Sequence, residues 1–78
     1  MYTDAMKRAF RSLTPPANFS VSIIDDEFFL TVLAKEKDFM QLSVDDKYRA
    51  VEYMIRVKNA LEDNGAVVQL VREGGKRD

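Results

Sequence analysis

The spacing of apolar positions shifts along this chain, and each shift predicts an element. Met6, Phe10 and Leu13 recur at i, i+4 and i+7 with Ala5 and Ala9 beside them, one stripe of a helix over residues 3–13. Thr3 is placed to cap its start, and Asp4 puts a carboxylate in the first turn, where the helix dipole favours it. Pro15-Pro16 ends it, because proline lacks the N–H and pushes the residue before it out of helical geometry.

The period then drops to two. Phe19, Val21 and Ile23 alternate with Ser20 and Ser22, and residues 28–34 are rich in β-formers, so residues 18–34 predict a hairpin turning at Asp25-Asp26-Glu27. A two-residue loop (25–26) or a four-residue loop (25–28) sets the even-numbered residues of the second strand toward the core. A three-residue loop would set Thr31 against Val21 and weaken the buried face. Even positions are therefore expected inside.

Residues 35–38 read as an exposed strand end, and residues 39–42 lead into a long helix. Ser43 with Asp46 three positions on is a relative of the capping box. Tyr48, Val51, Met54, Ile55 and Leu61 are expected as the buried face, with Ala50 and Val57 at its margin and Tyr53 near the polar side. Asp45, Arg49, Glu52, Arg56 and Asn59 lie opposite, and Asp45–Arg49 and Glu52–Arg56 have the favourable acid-first spacing. Asn64-Gly65 stops the helix, and residues 66–72 predict a third strand.

The order α-β-β-α-β predicts an α+β fold: a two-layer αββαβ sandwich, with a three-stranded, mostly antiparallel sheet and two helices on one face. The third strand is expected beside the first and antiparallel to it. Phe10, Val21, Leu30, Val32, Val51, Ile55 and Leu61 are expected to share the core.

Composition narrows the chemistry. With 46% hydrophobic and 32% charged residues the chain reads as folded rather than disordered. Residues 1–73 are expected as a single domain, and residues 74–78 as a flexible C-terminal tail. There is no cysteine and no histidine, which removes disulfides, thiolate and imidazole metal sites, and the commonest general base. A net charge of −1 supplies no field toward nucleic acid or acidic lipid. No apolar run approaches the ~20 residues of a membrane span. The first thirteen or so residues lack the apolar centre of a secretory signal, although Lys7, Arg8 and Arg11 give them a faint likeness to an amphipathic presequence. A cytoplasmic protein with no membrane association is expected.

Three clusters are candidates for function. Ile24, Phe29, Thr31 and Leu33 share the parity opposite the core, so they are expected to form an apolar patch on the open face of the sheet. From the third strand, either Val67, Gln69 and Val71 or Ala66, Val68 and Leu70 would join them. Lys7, Arg8 and Arg11, with Lys76 and Arg77, form a basic set suited to phosphate. The acidic runs Asp25-Asp26-Glu27 and Asp45-Asp46 match no calcium loop and are explained by turn and cap chemistry. The serines have no histidine to activate them, and no phosphate-cradling glycine motif is present. The element order lies close to the αββααβ order of KH-like RNA-binding domains, but their GXXG loop between two helices has no counterpart; the adjacent glycines here are Gly74-Gly75.

These features lead to the expectation of a small, non-enzymatic interaction module without cofactor or metal. It docks on a protein partner or on itself, as a homodimer, through the open sheet face. The alternative is a nucleic-acid-binding accessory protein using the basic first helix and tail.

Overall fold

The structure is a computed structural model, and it describes residues 1–73. The expected tail over residues 74–78 lies outside the described residues. The elements are α1 (Asp4–Arg11), β1 (Ser22–Asp25), β2 (Leu30–Lys35), α2 (Glu36–Met40), α3 (Val44–Asp63) and β3 (Val68–Glu73). The chain is α+β, with a three-stranded mixed sheet.

The starts of α1 and α3, and the end of α3, form as their residues dictate. Ser43 Oγ accepts the Asp46 amide at 3.1 Å, and Thr3 Oγ1 accepts the Met6 amide at 3.2 Å. At the far end of α3 the amides of Gly65 and Ala66 return to the carbonyls of Glu62 and Leu61. Those two bonds make a Schellman turn, which needs the left-handed φ of +96° that Gly65 adopts without a Cβ penalty.

Sheet order corrects one expectation. β2 is central, antiparallel to β1 and parallel to β3, so the third strand does not lie beside the first. The reason is burial. β2 is the most deeply buried strand, with Leu30, Thr31, Val32 and Ala34 all buried, and the middle of the sheet covers both of its edges. β1, only four residues long and running into Asp25-Asp26, suits an edge. Asp25 pairs with Leu30, which makes the hairpin loop four residues, 26–29, one step beyond the four-residue loop considered above. Parity is unaffected: Ile23 faces Val32, and the even positions of β2 face the core.

The residues before α3 also differ from expectation. Residues 36–40 form the short helix α2, not a strand end, so the element order is α-β-β-α-α-β. This places Phe39 in the core, where its ring meets Phe19 edge-on with centroids 6.4 Å apart. Phe19 meets Tyr53 in the same way at 6.4 Å. Phe19 thus leaves the ladder to anchor a cluster of aromatic rings, and β1 begins only at Ser22.

The third correction concerns the phase of α3. Ala50, Tyr53, Met54, Val57 and Leu61 are buried, whereas Val51, Ile55 and Tyr48, expected in the core, are exposed. Tyr48 is 73% exposed and Tyr53 only 6%, the reverse of the expected assignment. α3 packs against both α1 and the sheet, so its buried arc is rotated toward α1 and away from the 48/51/55 side. Of the remaining expected core residues, Leu30, Val32 and Leu61 are buried, and Phe10 and Val21 are half-buried against the cluster.

Candidate functional site

The residues expected on the open sheet face fall into three environments. Thr31 and Leu33 project from β2 with the parity opposite the core, beside Gln69 and Val71 of β3 and opposite Ile24 and Ser22 of β1. That settles which residues of β3 join this face: Gln69 and Val71. Thr31 is only 7% exposed, and its Oγ1 accepts the Gln69 side-chain amide at 3.0 Å. Its hydroxyl is therefore already engaged. Leu33 is half-buried, and Ile24 is exposed. Phe29 belongs to the hairpin loop, where it lines a crevice with Met1, Met6, Ala66 and Val67 at the end of the sheet.

The basic set is not gathered into a phosphate grip by the described residues. Lys7 lies over the Tyr2 ring at 5.6 Å, a cation–π contact, while Arg8 and Arg11 are exposed on α1. Burial raises the Tyr2 phenol above its ordinary pKa, with the Arg11 guanidinium acting in the opposite direction. Lys76 and Arg77 lie outside the described residues. The acidic runs serve local structure. Asp26 Oδ1 accepts the Glu27 amide, Asp25 pairs with the α-amino group of Met1, and Asp46 holds Arg49 at 2.8 Å. Among the described residues no three acidic side chains converge on a point where a cation would sit. The α2–α3 connection, Gln41-Leu42-Ser43, contains no glycine.

A larger apolar concavity than the Phe29 crevice lies elsewhere. A groove of about 290 Å³ runs between the outer flank of α3 and β3, lined by Phe39, Val51, Met54, Ile55 and residues 70–72. One end is built by Arg72, whose guanidinium lies 5.0 Å over the Phe39 ring. Arg72 Nε is also 3.1 Å from Glu36 Oε1, a charge attraction without hydrogen-bond alignment, which leaves that oxygen without a hydrogen-bond partner. Ile55 is 46% exposed and Leu70 39%. Val44 and Tyr48 continue the same helical stripe at i−11 and i−7 from Ile55, and both are exposed.

Val51 and Ile55 are expected inside and Leu70 on either face, yet all three are exposed along this groove. A signal was present. Val44, Tyr48, Ala50, Val51, Tyr53, Met54, Ile55, Val57 and Leu61 cover far more of the helix circumference than one buried face can hold, so part of the set had to remain outside. Comparison with protein families, curated proteins and solved structures finds no match to this chain.

Proposed function

We propose that the chain is a non-enzymatic protein-interaction module that docks through the apolar groove between α3 and β3. The observation that carries this reading is the bare stripe Val44, Tyr48, Val51 and Ile55 beside Leu70. Exposed apolar patches of this kind, rimmed by charge, mark interaction sites on small domains. The reading includes a two-layer arrangement with the helices on the even face of the sheet. The helical core residues and Leu30, Val32 and Ala34 share one cluster, and the Cα extent of 14 Å along the thinnest axis accommodates two layers about 10 Å apart. The odd face, with Ile24 and Leu33, then offers a second and flatter surface. Its central residue Thr31 is buried, so the groove is the stronger site. The absence of histidine and cysteine supports the non-enzymatic part, and a cytoplasmic setting belongs to the same proposal. No helix among the described residues is long and apolar enough to cross a membrane.

The test is affinity capture from the native host with tagged wild type and tagged Ile55→Lys. A protein partner, foreign or a second copy, held by wild type and released by Ile55→Lys is the expected result. Equal capture by both overturns the groove as the site. One observation favours a second reading: the element order α-β-β-α-α-β is that of the KH-like domains named above, and Arg8 and Arg11 are free on the surface of α1 to meet phosphate. Binding to single-stranded RNA that collapses between about 50 and 200 mM salt would support that reading, although the α2–α3 loop lacks the glycines that clamp the backbone there.

A further inference from the structure

We infer that the occupant of the groove is a second copy of this chain. The β3 edges of two protomers pair antiparallel about a two-fold axis, and the bare stripes of their α3 helices pack together above the join. This rests on the interaction reading above and names its partner.

The edge itself makes the first argument. The Leu30 amide donates to the Val67 carbonyl at 2.8 Å. Along a strand, the N–H and C=O of one residue point the same way, and the direction alternates. Gln69 and Val71 therefore direct their backbone groups toward β2 like Val67, whereas Val68, Leu70 and Arg72 direct theirs outward, away from the sheet. β3 is six residues long and has no proline, and Arg72 and Glu73, its two charges, are its last two residues. Arg72 is turned in toward Glu36 and Phe39. The opposite edge, β1, is shorter and ends in Asp25 with Asp26 and Glu27 beyond it.

The register is self-complementary. Antiparallel pairing centred on Leu70 sets Leu70 against its own copy, Val68 against the partner's Arg72 and Gln69 against the partner's Val71, so the outward backbone groups of Val68, Leu70 and Arg72 meet as the hydrogen-bonded pairs and Gln69 and Val71 as the non-hydrogen-bonded ones. A two-fold axis perpendicular to the sheet keeps the helix-bearing face on the same side in both protomers. Ile55 and Leu70 line one groove, so an axis through Leu70 also brings the two Ile55 side chains to the same level.

Area gives the third argument. A stable dimer buries about 800 Å² per partner, a modest share of the 5396 Å² this chain exposes. The strand edge is about 20 Å long, and the stripe from Val44 to Ile55 spans about 17 Å of helix. Together they form a two-storey end that holds half of the large hydrophobic side chains left exposed among the described residues. An occupant must supply an extended strand and, one layer above it, an apolar helical flank. This chain presents both at one end, since Val51 and Ile55 of α3 and Leu70 of β3 line a single groove. A foreign strand alone would fill the edge and leave Tyr48, Val51 and Ile55 wet.

The test uses the full chain in sedimentation equilibrium from about 1 μM to several hundred μM, with Ile55→Lys and with cysteine variants that are unique because the chain has none. Wild type is expected to show a monomer–dimer equilibrium, and Ile55→Lys to raise its dissociation constant at least about tenfold with unchanged far-UV circular dichroism. Leu70→Cys is expected to form a covalent dimer under mild oxidation, since hydrogen-bonded antiparallel partners lie about 5.5 Å apart at Cα, within disulfide reach. Ile24→Cys, on the odd face of the sheet, is expected not to. A dimer that cross-links through Ile24→Cys and not through Leu70→Cys overturns the β3 join while leaving a protein-interaction role intact. A wild type that stays monomeric throughout overturns the self-association, and host capture sensitive to Ile55→Lys then decides whether the interaction reading itself survives.

Discussion

On the flank of α3 turned toward α1, Tyr53 and Val57 are buried; on the flank over β3, Val51 and Ile55, no less apolar, remain exposed. The two flanks belong to one 20-residue helix and are built from the same residue types. What separates them is the neighbour that each one meets. α1 and the sheet close over the first, with Met6, Phe19 and Leu30 completing its cluster. The second overhangs an edge strand that has no further strand or helix beside it among the described residues. Burial here is a property of position in the fold, and the uncovered flank keeps the hydrophobic free energy that the covered flank has already spent on folding.

The comparison is open to direct attack, beginning with the covered side. Leu61 is completely buried, so Leu61→Ala should cost about 2–5 kcal/mol in urea denaturation, enough to threaten a domain of this size. A loss below about 1 kcal/mol would mean that the cluster beneath α3 is not the one described. Gly65 turns the chain from α3 back beneath the bare flank. With no atom within 4 Å of a Cβ built there, Gly65→Ala should cost about 1–2 kcal/mol from the left-handed backbone alone, read as a shift of denaturation midpoint at unchanged m-value. Ser43 starts the helix just before Val44, and Ser43→Ala should cost about 1 kcal/mol by removing the acceptor for the Asp46 amide. Ser43→Asp should restore most of it.

A smaller effect separates the flanks by pH. Burial raises the Tyr53 phenol above its ordinary value of about 10. A raised folded pKa means that the unfolded chain releases its proton first. The contribution is therefore complete below about pH 10 and is lost as pH rises through the folded value. Denaturation followed from pH 8 to 11 should show stability falling at the alkaline end, and Tyr53→Phe should flatten that fall. The smallest change belongs to the bare flank. Ile55→Ala, measured where the monomer dominates, should cost less than about 1 kcal/mol. At higher concentration the cost should grow if this side chain is buried in a complex.

Much of the architecture was legible in the residues taken alone. Thr3 and Ser43 mark the helix starts because their hydroxyls have amides two or three positions ahead to satisfy, and Gly65 marks the stop because few other residues accept its φ. The alternation around Val21 and Ile23 with the even positions of β2 set the buried parity of the hairpin. These are local matters, decided within a few residues of the chain. The sequence of itself also determined that α3 carries more apolar surface than one face can bury. Which part stays outside was a tertiary decision. The order of strands depends on which strand is most deeply buried once the helices are in place. The phase of α3 depends on where α1 and the sheet lie around it, since a helix with two neighbours rotates to bury the arc between them. Leu70 shows the same division. Its alternation with Gln69 and Val71 is written in the chain, but its place on the core face of an edge strand, half-uncovered beside Ile55, exists only because β3 pairs with β2 in parallel and nothing pairs with its other side among the described residues.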